Sequence, residues 1–276
     1  MFFQGEPGAF SEAAIRRYFP DGDAIGLGSF KDVFDALRRD PAAVGLLPIE
    51  NAYRGSVYDV WDLLVASPTL TIWAEVVQPV TLALMVVPGE TMQTVRRVRS
   101  HPQALMQSRG FWQPRGWEAD PALDTAGSAR ELSQHRWPGV AAIAHPRAAE
   151  LYGLTILASP IEDYADNRTR FWLLSQTSPP VRLDNGGGLM KATLAFDIAH
   201  RPGTLARVLT AFYEHGLNLT KIESRPRPGT PFEFRFWVDL GLESPEAVHA
   251  VKTVVSESGL FEWHRLLGIY PVMPGP

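Results

Sequence analysis

Thr177-Ser178-Pro179-Pro180-Val181-Arg182-Leu183-Asp184-Asn185-Gly186-Gly187-Gly188 decides how this chain is divided. Prolines stiffen its start and consecutive glycines free its end, the composition of a linker rather than of a helix or strand. On its N-terminal side, short apolar runs alternate with amphipathic ones. Met1 to Gln4, Ala24 to Leu27, Ala43 to Leu47, Leu70 to Val87, Val95 to Arg99, Glu118 to Asp120, Val140 to Ala144 and Thr155 to Leu157 read as strands, with Pro79 dividing or bending the longest. Helices fall between them, over Glu12 to Tyr18, Phe30 to Arg38, Tyr58 to Val65, Pro102 to about Phe111, Ala126 to Gln134 and Pro146 to Leu151. Ser11, Ser29 and Asp124 or Thr125 are placed to cap three of these helices. That order predicts an α/β domain with a mainly parallel sheet.

Beyond the glycines the pattern restarts. Lys191 to Ile198 alternates as a strand, and Gly203 to His215 is a helix with Leu205, Val208, Leu209 and Phe212 on one face, closed by Gly216. Leu219 to Glu223 and Phe232 to Leu240 are strands, Pro245 to Ser256 a helix, and Phe261 to Tyr270 a strand. The sum is βαββαβ, a ferredoxin-like unit. One face of such a sheet is open, which predicts pairing with a second copy. The domains expected are therefore 1–178, a linker over 179–189, and 190–276.

Just ahead of the linker stands Asp166-Asn167-Arg168-Thr169-Arg170-Phe171, followed by the apolar Trp172-Leu173-Leu174. A polar loop enters a buried strand there. Asn167, Thr169 and Arg170 are expected to face a cleft, where arginine supplies a rigid charged fork for a carboxylate and threonine a neutral hydroxyl. The same residues also fit a solvated loop whose arginines pair with Glu162, Asp163 and Asp166.

Composition narrows the chemistry. The chain of 276 residues contains no cysteine, which excludes thiol nucleophiles, disulfides and thiolate metal sites. A formal net charge of -4 argues against general binding to nucleic acid or to a membrane surface. No apolar run approaches the roughly 18 residues of a membrane helix. Met1 to Glu6 has no basic region or long apolar run, so a cytoplasmic protein is expected. His101, His135 and His145 lack metal-ligand spacing, and His145 before Pro146 reads as a helix cap. Glu50 and Glu75 are the carboxylates nearest the loops of interest.

Three junctions carry small polar residues where a loop becomes a helix: Gly8-Ala9-Phe10-Ser11, Ser100-His101-Pro102-Gln103 and Asp124-Thr125-Ala126. Free backbone N–H groups and the helix dipole favour anions there. In an open α/β sheet such junctions gather at the carboxyl ends of the strands. With Arg170 they would suit a small molecule bearing more than one carboxylate. Taken singly, each junction is better explained as an ordinary cap.

The motifs Gly5-Glu6-Pro7-Gly8-Ala9-Phe10-Ser11, Pro48-Ile49-Glu50-Asn51 with Gly55, Ser100-His101-Pro102-Gln103-Ala104-Leu105, Asp124-Thr125-Ala126, Ala141-Ala142-Ile143-Ala144, Asn167-Arg168-Thr169-Arg170-Phe171 and Glu223-Ser224-Arg225-Pro226 occur in that order along nearly the whole chain. Together they resemble prephenate dehydratase with a C-terminal ACT regulatory domain. The resemblance implies a two-lobed catalytic domain, similar to a periplasmic binding protein, with a second lobe over roughly Val77 to Leu154, followed by the ferredoxin-like ACT domain. It implies conversion of prephenate to phenylpyruvate, with loss of water and carbon dioxide, in L-phenylalanine biosynthesis. No cofactor and no metal are expected, because aromatisation supplies much of the driving force.

On that resemblance, Thr169 would hydrogen-bond or protonate the departing hydroxyl and Arg170 would hold a carboxylate. Ser11, Asn51, Ser100, Gln103, Thr125 and Asn167 would contact substrate, with Phe171 as the floor. L-phenylalanine would inhibit by binding between paired ACT domains at Gly203, Thr204, Leu205, Asn218, Leu219, Glu223, Ser224 and Arg225. The partners implied are prephenate, L-phenylalanine and a second copy in a homodimer, with a tetramer left open. Two positions depart from the family pattern: Ala52 replaces a serine, and Thr204 replaces alanine in Gly-Ala-Leu. Two other readings stand beside this one: an arogenate dehydratase, and a non-catalytic ACT-containing amino-acid sensor.

Overall fold

Val44-Gly45-Leu46-Leu47 is apolar throughout because it lies inside a sheet covered on both faces. The structure, a computed structural model, describes residues 1–183, 187–227 and 229–274. Part of the expected linker, 184–186, lies outside the described residues, as do 228 and 275–276.

The first lobe is built by β1 (Phe2–Gln4), α1 (Phe10–Tyr18), β2 (Ile25–Leu27), α2 (Phe30–Arg39), β3 (Val44–Asn51), β4 (Gly55–Ser56), α3 (Tyr58–Val65) and β5 (Thr71–Pro79). The second lobe holds β6 (Ala83–Val86), β7 (Arg97–Ser100), α4 (Pro102–Gln107), α5 (Arg109–Trp112), β8 (Glu118–Pro121), α6 (Thr125–His135), β9 (Val140–Ala144), α7 (Pro146–Tyr152) and β10 (Thr155–Ala158). The chain then returns as β11 (Arg168–Ser175) to the middle of the first sheet, between β3 and β5, so that the first sheet runs β2-β1-β3-β11-β5. The second runs β10-β6-β9-β7-β8.

Neither sheet is mainly parallel, which corrects the expectation. In the first, β1 is parallel to β2 and β3, while β11 is antiparallel to both its neighbours. The physical reason is the double crossing between lobes. β5 leaves the first lobe at Pro79 and β11 re-enters beside it, with Arg168 opposite Pro79. Ser29 and Asp124 cap α2 and α6 as expected, accepting from Asp32 N and Gly127 N. Ser11 does not cap α1. That helix starts two residues earlier, at Phe10 with Ala9 at the N-cap, which places Ser11 inside its first turn.

The C-terminal unit is β12 (Met190–Asp197), α8 (Thr204–Glu214), β13 (Asn218–Pro226), β14 (Phe234–Leu242), α9 (Pro245–Ser256) and β15 (Trp263–Pro271). Its antiparallel sheet runs β13-β14-β12-β15. Val208, Phe212, Val251 and Val254 cover one face. The other face is not open. Its Ala195, Trp237, Leu267 and Tyr270 pack on Trp61, Leu64, Ile72 and Trp172 of the first lobe in one continuous core. Trp61 stands at 4.8 Å from Trp237 and 5.6 Å from Trp172, centroid to centroid. The expected pairing of that face with a second copy is therefore corrected: a sheet with an apolar face buries it on the nearest apolar surface, here within the same chain.

Two details hold this seam. Arg265 donates to the carbonyls of Leu64, Val65, Ser67 and Leu70, neutralising the C-terminal end of α3. At Gly268 the strands come so close that a Cβ would lie 2.4 Å from the Ile72 carbonyl oxygen. The free edge of the sheet is β13, where Asn218, Thr220, Ile222, Ser224 and Pro226 are exposed.

Candidate active site

Strand alternation decides which side chains of β11 meet the space between the lobes. Thr169 and Phe171 share one face, and Arg170 and Trp172 the other. Thr169 and Phe171 line a cavity of about 280 Å³. Gln4, Phe10, Ser11, Pro48, Asn51 and Val57 line it from the first lobe. Val80, Leu82, His101, Gln103, Ala104, Gln107 and Thr125 line it from the crossing and the second lobe. The lobes approach closely at its end. Gly8, with φ +91°, leaves room for Ala148, which an added Cβ would meet at 3.1 Å.

Thr169 sits opposite Asn51 in the ladder. The Asn51 amide is fully committed to protein: Nδ2 donates to Asn167 Oδ1 at 2.8 Å, to the Arg168 carbonyl at 3.1 Å and to Thr169 Oγ1 at 3.1 Å. Its Oδ1 accepts from Tyr53 N at 3.2 Å. Because Thr169 Oγ1 accepts from Asn51, its own hydrogen remains for a donation into the cavity. Asn167 is buried behind Asn51 and is absent from the cavity lining. Ser100 is also outside the lining; it is fully buried and donates to the Ile143 carbonyl at 2.5 Å. These placements make Asn51 and Asn167 a support for Thr169, and Ser100 a tie between strands.

Arg170 does not face the cavity, which corrects the expectation that it holds a ligand carboxylate. Its guanidinium lies on the opposite face of β11, where Glu50, Glu75 and Asp239 each accept from it at 2.6 Å. Lys191 and Lys221 complete the cluster by pairing with Glu75 and Glu50. Burial alone would lower the Arg170 pKa, but the Glu75 and Asp239 charges outweigh it and hold it well above the usual arginine value. For Glu50, burial works against the charge; Lys221 and Arg170 overcome it and keep the carboxyl below its ordinary range.

None of the cavity residues named above is Asp, Glu, Lys or Arg. An anion there would meet neutral donors and helix N-termini. At α1 the N-cap offers no side-chain acceptor, so its first N–H groups are uncapped. At α6 Asp124 takes the Gly127 N–H, leaving those of Thr125 and Ala126. The third junction contributes less. α4 is short, and His101 Nδ1 already accepts from Gln103 N at 3.1 Å. His145 caps α7 in the same way and stands edge-on to Phe10 at 5.3 Å. Burial, then the neighbouring Arg147, push its pKa down to about 4 against a smaller opposing pull from Glu12, so the ring under the cavity wall is neutral.

Of the residues expected from sequence, Ser11, Asn51, Gln103, Thr125, Thr169 and Phe171 converge on this cavity. Gln4, Val57, His101 and Gln107 were missed. The spacing of Gln103 and Gln107, one turn apart on α4, was the available signal.

A second cavity, of about 510 Å³, lies in the C-terminal domain between the loop 198–203, the start of α8 and the residues Arg227, Glu233, Phe234 and Phe236. Gly203, Thr204 and Leu205 line it. The Thr204 hydroxyl turns back to the Ala199 carbonyl at 2.8 Å and the Arg201 carbonyl at 2.9 Å. Asn218 and Leu219 stand at the far end of β13, because Asn218 pairs with Gly241 while Pro226 pairs with Phe234. Glu223 and Arg225 are turned to the first lobe instead. Glu223 accepts from Ser56 and Tyr58 hydroxyls at 2.5 Å, and Arg225 pairs with Asp62 at 2.5 Å. Ser224 is exposed between them. Within one chain these five residues do not join Gly203, Thr204 and Leu205.

A family profile described as prephenate dehydratase matches residues 1–179, and one described as ACT domain matches 192–247. Arogenate dehydratase 5 of Arabidopsis thaliana is 36% identical over 98% of this chain, which spans 67% of that relative. A bifunctional N-acyl-homoserine lactone acylase/prephenate dehydratase of Komagataeibacter europaeus is 33% identical, covering 99% of this chain and 95% of its own length. The solved prephenate dehydratase of Arthrobacter aurescens in complex with L-Phe superposes with a TM-score of 0.85 at 28% identity, over 98% of this chain and 89% of that one.

Proposed function

Because the chain belongs to the prephenate dehydratase family and carries an ACT domain, we propose that it converts prephenate to phenylpyruvate and that L-phenylalanine inhibits it through the ACT domain. The observation that carries the reading is Thr169, whose Oγ1 accepts from Asn51 and whose hydrogen is thereby left for the cavity. Prephenate loses its ring carboxylate as carbon dioxide. The electron pair of the broken C–C bond enters the ring, and the ring hydroxyl departs as water after gaining one proton. Thr169 donates a hydrogen bond to that oxygen as charge builds on it. A threonine is a weak acid, so most of its effect is orientation and electrostatic support, with the net proton drawn from solvent.

The neutral cavity fits the other half of the step. A cation beside the ring carboxylate would stabilise the ground state and oppose its loss as a neutral molecule, whereas a dry, uncharged wall favours departure. Asn51 and Asn167 hold Thr169 in place; Ser11, Gln103 and Thr125 are the neutral donors; Phe171 is the floor.

Arogenate is a second substrate to weigh, since relatives carry that name. Its ammonium group adds a positive charge, and no carboxylate is among the cavity residues described above to balance it. The acylase activity in one relative's name is not carried over. Among the described residues of this cavity, no hydroxyl is hydrogen-bonded to a histidine or carboxylate base.

For regulation, we propose a homodimer joined at β13. Antiparallel pairing of two β13 edges sets the Asn218 end of one copy beside the Pro226 end of the other, near the cavity that Gly203 lines. The test is phenylpyruvate formation from prephenate by the purified chain, with and without L-phenylalanine, beside light scattering. Turnover suppressed by L-phenylalanine in a dimer is expected. Failure on both prephenate and arogenate overturns the enzymatic reading in favour of an amino-acid sensor, and a strict monomer overturns the dimer.

A further inference from the structure

Alternate side chains of β13 reach back to one short stretch of the first lobe. Lys221 donates to Glu50, Glu223 accepts from the hydroxyls of Ser56 and Tyr58, and Arg225 pairs with Asp62. Lys221 and Glu223 also pair with each other at 3.2 Å, and the Arg225 guanidinium lies 4.1 Å from the centroid of the Tyr58 ring. The intervening Ile222 and Ser224 are exposed. All the gripped residues belong to 50–62, the segment that carries Asn51. Within it Glu50 stands opposite Ser56, and Asn51 opposite Gly55. On its other side Glu50 stands opposite Arg170, and Asn51 opposite Thr169. The Glu50–Arg170 rung is thus held from the ACT domain at both ends, by Lys221 and by Asp239. The adjoining rung, Asn51–Thr169, lines the cavity and carries the 3.1 Å hydrogen bond. Neighbouring residues of a rigid strand do not move independently, so a shift of the first rung displaces the second.

We propose that Lys221 and Glu223 are positioning residues for Asn51 and Thr169, and that β13 passes the effector state of the ACT domain to the reaction through them. The proposal rests on the dehydratase reading and on inhibition by L-phenylalanine. Neither residue lines the interlobe cavity or the cavity at Gly203. Both stand between the two, on the edge strand of the ACT sheet, where a second copy would pair. A pull on that edge acts first on the 50–62 segment. A displacement of about 0.5 Å would carry the Asn51–Thr169 bond out of hydrogen-bond range and turn the Thr169 hydroxyl from the departing oxygen. Glu223 therefore acts on the catalytic lobe and not on the effector.

The test compares the full wild-type chain with Lys221→Met, Lys221→Arg and the double variant Ser56→Ala with Tyr58→Phe. Each is followed by steady-state kinetics on prephenate, L-phenylalanine inhibition, calorimetric L-phenylalanine binding and a thermal melt. The double variant frees Glu223 from the first-lobe side and leaves every residue of the ACT domain in place. Lys221→Met is expected to lower kcat about fivefold with KM within about twofold, and Lys221→Arg to restore most of that loss. The double variant is expected to bind L-phenylalanine as the wild type does, while the largest inhibition it reaches falls by about half or more. Unchanged kcat in Lys221→Met together with full inhibition in the double variant overturns the proposal. So does a loss of L-phenylalanine binding in step with the loss of inhibition, which would mean that these contacts serve the effector site. A fall in kcat that tracks Tm and that Lys221→Arg does not restore marks Lys221 as structural only and overturns it as well. A wild-type chain inactive on prephenate and on arogenate overturns the dehydratase reading itself. An active one indifferent to L-phenylalanine overturns the regulatory reading, and the relay with it. Both outcomes are visible before any variant is made.

Discussion

Arg170 on β11 and Asp239 on β14 meet at 2.6 Å across the seam between the first lobe and the ACT domain. The pair joins the strand that carries Thr169 directly to the regulatory sheet. Asp239 is 1% exposed, and its other oxygen accepts from Thr193 at 2.7 Å. Glu75 is equally buried and shared between Arg170 and Lys191. Removing the central cation leaves Asp239 buried without a counter-ion and Glu75 with Lys191 alone. Arg170→Met should therefore cost ~3–5 kcal/mol of stability in urea denaturation. Arg170→Lys should fall between, since one ammonium cannot fork to three carboxylates. Unchanged stability in Arg170→Met would mean that this cluster is not paired as described.

Thr169 is the residue on which the proposed chemistry depends. Thr169→Ala should lower kcat by roughly 100-fold or more with little change in stability, and Thr169→Ser should retain most of it. Stopped assays following phenylpyruvate decide this. Near-normal turnover in the alanine variant would remove Thr169 from its role.

The seam between domains has a steric test. A methyl at Gly268 would press on the Ile72 carbonyl at 2.4 Å, where backbone rather than a flexible side chain must give way. Gly268→Ala should cost ~1–3 kcal/mol and lower Tm. Limited proteolysis should also find the linker more accessible, because the strain falls on the contact that docks the ACT domain.

His145 gives a pH dependence of definite sign. Its folded pKa is pushed down from 6.5 to about 4 by burial and by Arg147, with Glu12 opposing. Between those values the unfolded chain binds the proton and the folded one does not. Stability is therefore fully present above about pH 6.5 and is lost as pH falls toward 4, by up to ~3 kcal/mol. His145→Asn keeps a capping side chain and does not titrate, so its stability should be flatter over that window. Chemical denaturation at a series of pH values measures it. An identical slope in wild type and variant would assign the pH dependence elsewhere.

Much of the molecule was legible because its signals are local. Ser29 and Asp124 announce their helices within three residues of the N–H groups they accept from, and both do so in the structure. The motif order pointed to Thr169, Phe171, Ser11, Gln103 and Thr125, which converge on one cavity. Ser11 misled as a cap because Ser and Ala can both precede a helix turn, and only the backbone of Ala9 shows where α1 begins. Gln107 was passed over because a glutamine on a helix carries no local sign of burial.

What the amino-acid order determined by itself was periodicity: which segments are strands and which are helices. It placed Thr169 and Arg170 together at one cleft, although neighbouring residues of a strand point to opposite faces. What it did not determine was which face meets the cavity. That depends on partners 120, 95 and 69 positions away, Glu50, Glu75 and Asp239, which hold Arg170 on the side covered by the ACT sheet. The same holds for Glu223, whose partner Ser56 is 167 positions distant. Alternation along a strand is a property of the local backbone. The choice of face is a property of what packs on the sheet, and only the assembled tertiary structure brings the two domains together to make it.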